Sequence, residues 1–204
     1  MLYRIFRPIV RFIVWVLNGH LHVHNKNRLP EGTYILVAPH RTWWEPILFA
    51  LAASPAEFMF MAKQELFQNP VLRWILTNAH AFPVNRAHPG PSVIKIPVKG
   101  LKSGNLSLIM FPSGTRHSAE LKSGAWFIAK MSGRPLVPVV YQGPLTFKGV
   151  LARKGLEINF GDPITLERRI KLNEETEGKL NAQLEDAWKK IDNELNPDFE
   201  YIPK

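Results

Sequence analysis

The sequence predicts an α/β fold: one domain with a mixed, largely parallel sheet covered by helices, and an amphipathic helix ahead of it. Three observations predict it. Short apolar, strand-forming runs alternate with segments of helical spacing, as in a sheet with helices packed on its faces. The runs at Leu106–Phe111 and Pro135–Tyr141 are apolar throughout, as buried strands are. At 204 residues, 46% hydrophobic and 21% charged, with no repeat, low-complexity tract or linker, the chain fits a single domain with a real core.

The N-terminal stretch, Met1 to Leu17, is basic and amphipathic. Arg4, Arg7 and Arg11 form one stripe, and Leu2, Ile5, Phe6, Ile9, Phe12, Ile13, Val16 and Leu17 fill most of the rest, with Trp15 among them. Its longest apolar run, Phe12 to Leu17, is far too short to span a bilayer. Arginine interrupts the apolar part and no small-residue cleavage site follows, which argues against a signal peptide. Two readings stay open: a helix packed on the domain, or an interfacial helix with its apolar face in lipid and its arginines near anionic head groups. The apolar girth favours the second. Residues 1–18 are therefore expected to be a membrane-associating segment and residues 19–204 the main domain.

Next comes a polar connection holding His20, His22 and His24. With no carboxylate or fourth ligand nearby, these are expected to line one face of a short strand and not to bind metal. Leu29 to Gly32 is a turn, and Thr33 to Ala38 is the first clear strand. Pro46 suits the first turn of a helix, which should begin at Glu45 or Pro46 and run through Ile47–Ala53. Glu57 to Ala62 reads as a strand, Val71 to Thr77 as a helix, and Ala81 to Val84 as a further short strand. A loop then leads to a helix ending near Gly104, with Val93, Ile96, Val98 and Leu101 on its apolar side and Pro97 interrupting it. After the strand at Leu106–Phe111, Pro112 to Arg116 is a tight turn with a cationic tip. Lys122 to Met131 is helical, and Pro135–Tyr141 and Gly155–Phe160 are strands. Asn173 caps a final helix to Leu195, with Leu180, Leu184, Trp188, Ile191 and Leu195 at helical spacing. Its acidic outer face reads as a structural cover with no chemistry.

Charge narrows the function classes. The formal net charge is +9, and residues 1–164 hold 19 basic side chains against 7 acidic ones. Such a surface suits phosphate-bearing partners: nucleic acid, anionic lipid or a phosphorylated small molecule. The strongest basic stripe lies on an otherwise apolar helix, which favours lipid over nucleic acid. The absence of cysteine excludes disulfides, thiolate metal sites and a thiol nucleophile.

The chemistry centres on Ala38-Pro39-His40-Arg41-Thr42-Trp43-Trp44-Glu45-Pro46. A histidine and a carboxylate five positions apart sit roughly 140° apart on a helix, so they meet only if the chain turns between them. A carboxylate against imidazole fixes its tautomer and stabilises the imidazolium, half of a general-base machine. The alternative makes Glu45 the last member of a capping box opened by Thr42. His-x4-Glu is not His-Glu-x2-His, and no second histidine stands at helical spacing from His40, which disfavours a metal hydrolase.

Taken together these segments resemble the glycerolipid acyltransferase family, of the type that makes phosphatidic acid from lysophosphatidic acid. Pro39 to Glu45 resembles the family's Asn-His-x4-Asp motif, and Ala62 to Phe67 its Lys-x-Glu-Leu stretch. Val84-Asn85-Arg86 resembles the second motif, and Phe111 to Arg116 matches Phe-Pro-Glu-Gly-Thr-Arg at five of six positions. Lys122-Ser123-Gly124 and Pro135 to Val139 resemble the remaining blocks. The similarity covers roughly residues 30 to 145, in order. Glu45 stands where the family has aspartate, and Ser113 where it has glutamate.

The resemblance implies that residues 19–204 are an acyltransferase domain, with His40 as general base, Glu45 as its partner and Lys63 as a candidate oxyanion donor. It places the acceptor's phosphate on Arg86, Arg116 and Lys122, with Gly114 and Thr115 letting backbone amides approach. No metal or cofactor is implied; acyl-CoA or acyl carrier protein would bring the acyl group as co-substrate. A lysophospholipid acceptor and an anionic membrane surface are the implied partners, with no nucleic acid. The implied location is the cytoplasmic face of a membrane, peripheral or monotopic. A lipid-binding relative with weakened catalysis, or one using another lysophospholipid, is the alternative that Glu45 and Ser113 leave open.

Overall fold

The computed structural model describes residues 2–85, 88–113, 121–167, 169–199 and 201. Helix α1 (Leu2–Asn18) leads to strand β1 (Leu21–His24), then β2 (Ile35–Val37), α2 (Glu45–Ala52), β3 (Phe58–Lys63), α3 (Pro70–Asn78) and β4 (Ala81–Val84). The second half contains α4 (Ser92–Lys102), β5 (Ser107–Met110), α5 (Gly124–Ser132), β6 (Leu136–Gln142), α6 (Phe147–Leu151), β7 (Leu156–Phe160) and α7 (Glu174–Leu195).

The strands form one sheet in the order β1-β7-β6-β2-β5-β3-β4. β2 pairs in parallel with both β5 and β6, with Ile35 opposite Leu108 on one side and Leu136 on the other. β3 pairs in parallel with β5 and β4. Among the named strands of the described residues β6 and β7 form the one antiparallel pair, and β1 lies parallel to β7 at the edge. The sheet is therefore mixed and largely parallel, as the alternation of strand and helix predicts. Its central strands are buried along their length because helices cover both faces.

Two apolar cores flank the sheet. One joins Ile35, Leu108 and Val140 to Leu101 of α4, Trp126 and Ile128 of α5, and Leu184 and Trp188 of α7. The other joins Leu36, Phe58 and Val137 to Leu48 and Phe49 of α2, with Val14 of α1 at its margin. Phe49 is fully buried, and truncating such a side chain to alanine costs about 3–5 kcal/mol. Gly100 lets α4 lie close to β3, since a Cβ there would meet Met59 Sδ at 2.3 Å.

Helix ends follow their caps. Asn69 Oδ1 accepts from the amides of Val71 and Leu72 before Pro70 opens α3, and Asn173 Oδ1 accepts from Thr176 N to start α7. α5 ends at Gly133, whose φ of 68° is easy only without a side chain. β1 alternates as expected: Leu21 and Val23 turn inward, and His22 and His24 are exposed, with His24 Nε2 2.7 Å from Glu157 Oε2.

Four expectations change. α4 turns Ile94, Pro97, Val98 and Leu101 toward the core and leaves Ile96 exposed, so Pro97 belongs to the buried face. α5 starts at Gly124, two residues after Lys122. α6 is an unforeseen five-residue helix, capped by Thr146 Oγ1 accepting from Gly149 N. The arginine stripe of α1 faces the protein: Arg4 donates to Glu57, Arg7 to Ser54 Oγ and Ala56 O, and Arg11 to Leu51 O at the end of α2. Carbonyls at a helix end attract cations, so the Arg11 guanidinium has a use there. The apolar face points outward instead, with Ile5, Ile9, Phe12, Ile13, Trp15 and Val16 exposed. Among the described residues, no helix is long and apolar enough to cross a membrane.

Candidate active site

Because β2, β5 and β3 are parallel, their carboxyl ends share one edge of the sheet. The segments singled out in the sequence follow those ends. The His40–Glu45 turn follows β2, Lys63 closes β3, and Phe111 to Ser113 follow β5. Ligands of open α/β sheets bind at this kind of edge.

Pro46 in the first turn places Glu45 at the amino end of α2, and the turn before it folds back over the carboxylate. Glu45 is fully buried. Its Oε2 accepts from Arg41 N at 2.8 Å and Thr42 N at 3.0 Å, and lies 3.2 Å from His40 Nδ1. Burial pushes the carboxyl up; the bond from His40 and the amides of Thr42 and Arg41 pull the other way. The positive end of α2 also favours the anion.

This arrangement contains part of each reading of Glu45. The Thr42 amide on Oε2 is the carboxylate half of a capping box, but the hydroxyl half is missing: among the described residues Thr42 Oγ1 has no hydrogen-bond partner, and Trp44 is the residue preceding the helix. Glu45 instead collects donors from its own upstream turn, and one of them is the imidazole. An ionised carboxylate only accepts, so His40 donates through Nδ1–H and keeps a lone pair on Nε2. The His40 side chain is 15% exposed, and its ring stacks on Phe111 with centroids 4.2 Å apart and planes 28° apart. A base with a fixed tautomer, a fixed ring plane and one open nitrogen can take a proton from a hydroxyl.

A family model for acyltransferases matches residues 20–142. The chain belongs to the acyltransferase family.

A 1-acyl-sn-glycerol-3-phosphate acyltransferase of Streptococcus pneumoniae is 43% identical over 196 residues, spanning 95% of this acyltransferase and 74% of the relative. One of Bacillus subtilis is 38% identical over 189 residues, spanning 88% and 94%. The crystal structure of the 1-acyl-sn-glycerophosphate acyltransferase from Thermotoga maritima shares the fold, with a TM-score of 0.69 at 21% identity over 98% of this chain and 81% of that one.

In this acyltransferase the other expected site residues fall as follows. Lys63 is exposed at the carboxyl end of β3, separated from β2 by β5. Lys122 is exposed, and its amide donates to Pro112 O at 3.0 Å, tying the start of α5 to the turn after β5. Ser113, standing where the family has glutamate, is buried. Arg86, Gly114, Thr115 and Arg116 lie outside the described residues. No group of three or more His, Asp or Glu side chains could hold a metal ion among the described residues.

The sequence reading missed three contributors. Phe111 is a motif residue with no role assigned, and it forms the shelf under His40. Arg41 is buried beside His40, its guanidinium held by Asp192 and by Tyr141 O. Trp188 Nε1 donates to Val37 O at the end of β2. α7 therefore reaches the active-site strand, contrary to its expected role as cover alone. The one available signal was Trp188 and Asp192 four residues apart, which puts an indole and a carboxylate on one helix face.

Proposed function

We propose that this acyltransferase moves a fatty acyl group from an acyl thioester to the free hydroxyl of 1-acyl-sn-glycerol-3-phosphate, giving phosphatidic acid. The observation that carries the reading is the buried Glu45 carboxylate on His40 Nδ1, which leaves Nε2 as the base.

His40 Nε2 takes the hydroxyl proton as the acceptor oxygen attacks the thioester carbonyl. Glu45 stabilises the imidazolium so formed. The tetrahedral intermediate carries its charge on the former carbonyl oxygen, where Lys63 or backbone amides would supply fixed donors. Collapse re-forms the carbonyl and expels the thiolate, which takes the proton from His40 and leaves the base free again. Glu45 supports this chemistry although it is longer than aspartate, because its Oε2 reaches two amides and the imidazole together. The acceptor's phosphate would be held by Arg86 and Arg116, with Lys122 and the Gly114–Thr115 amides. Arginine suits that work because its planar donors pair bidentately with phosphate oxygens.

The acceptor is a lipid, and the outer surface is built to meet one. Ile5, Ile9, Phe12 and Ile13 of α1 are exposed, as are Val71, Leu72, Trp74 and Ile75 of α3. Phe6 meets Trp74 edge-on at 6.3 Å and joins the two helices. An exposed apolar surface of this extent marks an interaction site. α1 packs at the margin of the core around α2, whereas the acidic α7 packs in the core on the opposite face of the sheet. That polarity suits peripheral attachment to an anionic membrane surface through α1 and α3, with residues 1–18 as the main attachment and 19–204 as the catalytic domain.

Incubating purified protein with labelled acyl-CoA or acyl-acyl carrier protein and a panel of lysophospholipids tests the reading. Labelled phosphatidic acid, formed with lysophosphatidate in preference to the other acceptors, is expected. Absence of labelled product with every donor and acceptor would overturn it.

A further inference from the structure

We propose that Asp192 of α7, acting through Arg41, is a positioning residue for the His40–Glu45 pair. The proposal rests on the acyl-transfer reading above and adds an element to it. The family match ends at residue 142, before α7 begins.

The Arg41 amide belongs to the peptide that follows His40, and its N–H donates to Glu45 Oε2, the same oxygen that faces His40 Nδ1. The orientation of this one peptide sets the carboxylate and the ring together. The Arg41 side chain holds that peptide in place. It is 5% exposed, so water does not solvate it. Nη1 donates to Asp192 Oδ1 at 3.0 Å and to Tyr141 O at 2.6 Å, and Nη2 donates to Asp192 Oδ2, making a two-pronged fork.

Asp192 is itself held. Gln142 Nε2 donates to its Oδ1 and to its backbone oxygen, each at 2.9 Å. The rings of Phe199 and Tyr201 close over the guanidinium, with centroids 4.9 and 5.6 Å from Arg41 Cζ. One helical turn before Asp192, Trp188 Nε1 donates to Val37 O at 3.0 Å. A single face of α7 thus grips the β2–α2 connection at Val37 and Arg41, on either side of His40.

A buried ion pair is a poor way to gain stability alone, since apolar residues of similar volume often do as well or better. Its fork does fix direction, which an apolar pair cannot. Placed on the residue next to the base, that direction passes to the Arg41 amide and so to Glu45.

Three proteins test this: the wild type, Asp192→Asn, and the double variant Arg41→Met with Asp192→Leu. For each, kcat, the KM of lysophosphatidate and of the acyl donor, and the melting temperature are measured, with kinetics run well below the lowest melting point. Asp192→Asn should lower kcat about 10–100-fold, the scale of a small misplacement of reacting groups, with both KM values little changed. It should also melt lower, because it leaves the Arg41 charge buried without its partner. The double variant should recover melting temperature and keep the low kcat. Recovery of kcat together with stability in the double variant, or full kcat in Asp192→Asn, would overturn the positioning role alone. A wild type that transfers no acyl group would overturn the acyl-transfer reading and this inference with it.

Discussion

The ring of Phe111, the residue after β5, stacks under the His40 imidazole at a centroid distance of 4.2 Å. The segments after two parallel strands therefore each contribute one ring to the same spot, one titratable and one inert. The inert ring fixes the plane of the imidazole from below, and Glu45 fixes its rotation through Nδ1. The imidazole belongs to neither apolar core, so its removal should be felt in rate more than in stability.

His40→Ala should cost at least the roughly 10²–10⁴-fold typical of a general base. Its melting temperature should stay close to wild type, because the ring sits at the rim and not in either core. Activity and thermal unfolding on one preparation decide the matter: retained turnover beside a sharply lowered melting point would make His40 structural.

Replacing Glu45 separates charge from shape. Glu45→Gln keeps the volume but cannot balance an imidazolium, and a loss on the order of 10³–10⁴-fold in kcat is expected. Glu45→Asp keeps the charge but is one methylene short of the Arg41 and Thr42 amides that now converge on Oε2. It should fall between wild type and the Gln variant, with a loss of about tenfold. Turnover by both variants gives the ranking, and a fully active Gln variant would remove Glu45 from the mechanism.

If Arg86 and Arg116 hold the acceptor as proposed, Arg86→Ala or Arg116→Ala should raise the KM of lysophosphatidate and spare that of the acyl donor, because only the acceptor would lose a phosphate partner. Initial-rate kinetics in both substrates test it. A change confined to the donor would assign these arginines to the donor's phosphates.

Ile9→Ser with Phe12→Ser removes apolar surface from the outer face of α1 and leaves Arg4, Arg7 and Arg11 on their partners. The variant should stay folded and lose binding to phosphatidic-acid-containing vesicles. Added salt should weaken wild-type binding only modestly, since these three arginines already bond to the protein. Vesicle flotation of both proteins measures this. Unchanged flotation would place membrane attachment elsewhere.

Acid stability carries signs that can be worked out. Arg28 holds the Glu194 carboxyl below its usual value of 4.5, and Arg4 does the same for Glu57. A carboxyl lowered on folding stabilises the protein above its unfolded pKa and loses that contribution as pH falls through the folded value. Glu45 runs the other way: burial raises it, so its ionised form weighs against the fold as pH climbs past the raised value. Arg28→Ala should therefore melt below wild type at neutral pH, and the gap should narrow as pH drops below about 4. A gap constant from pH 7 to pH 3 would show that Arg28 acts through packing and its bond to Phe160 O and not through Glu194.

Much of this architecture was legible as pattern. Leu108 and Val137 lie in continuous apolar runs because both faces of the sheet are covered, and Leu180, Leu184, Trp188 and Ile191 keep helical spacing because one face of α7 is buried. The dyad was legible because Pro46 dates the start of α2 and so puts the turn between His40 and Glu45. The direction of α1 was not. A periodic sequence defines two faces, but which one touches protein depends on acceptors such as Leu51 O and Ala56 O, and backbone carbonyls leave no mark in a sequence. Asp192 was hidden for a related reason. On α7 it looks like one more solvated acid, and its partner Arg41 lies 151 residues away.

The position of β1 bears on the order in which the chain can assemble. This strand pairs with β7, and His24 and the Glu157 carboxylate it contacts stand 133 residues apart. On a ribosome that makes the chain from its amino end, β1 emerges early and waits until most of the protein has been synthesised before it finds a neighbour. The β2–β5–β3–β4 part of the sheet needs no such wait, because its segments leave the tunnel earlier. Loop-closure entropy makes so distant a pairing slow. Pulse-labelled amide protons of Leu21 to His24 should thus gain protection late, after those of β2 and β5.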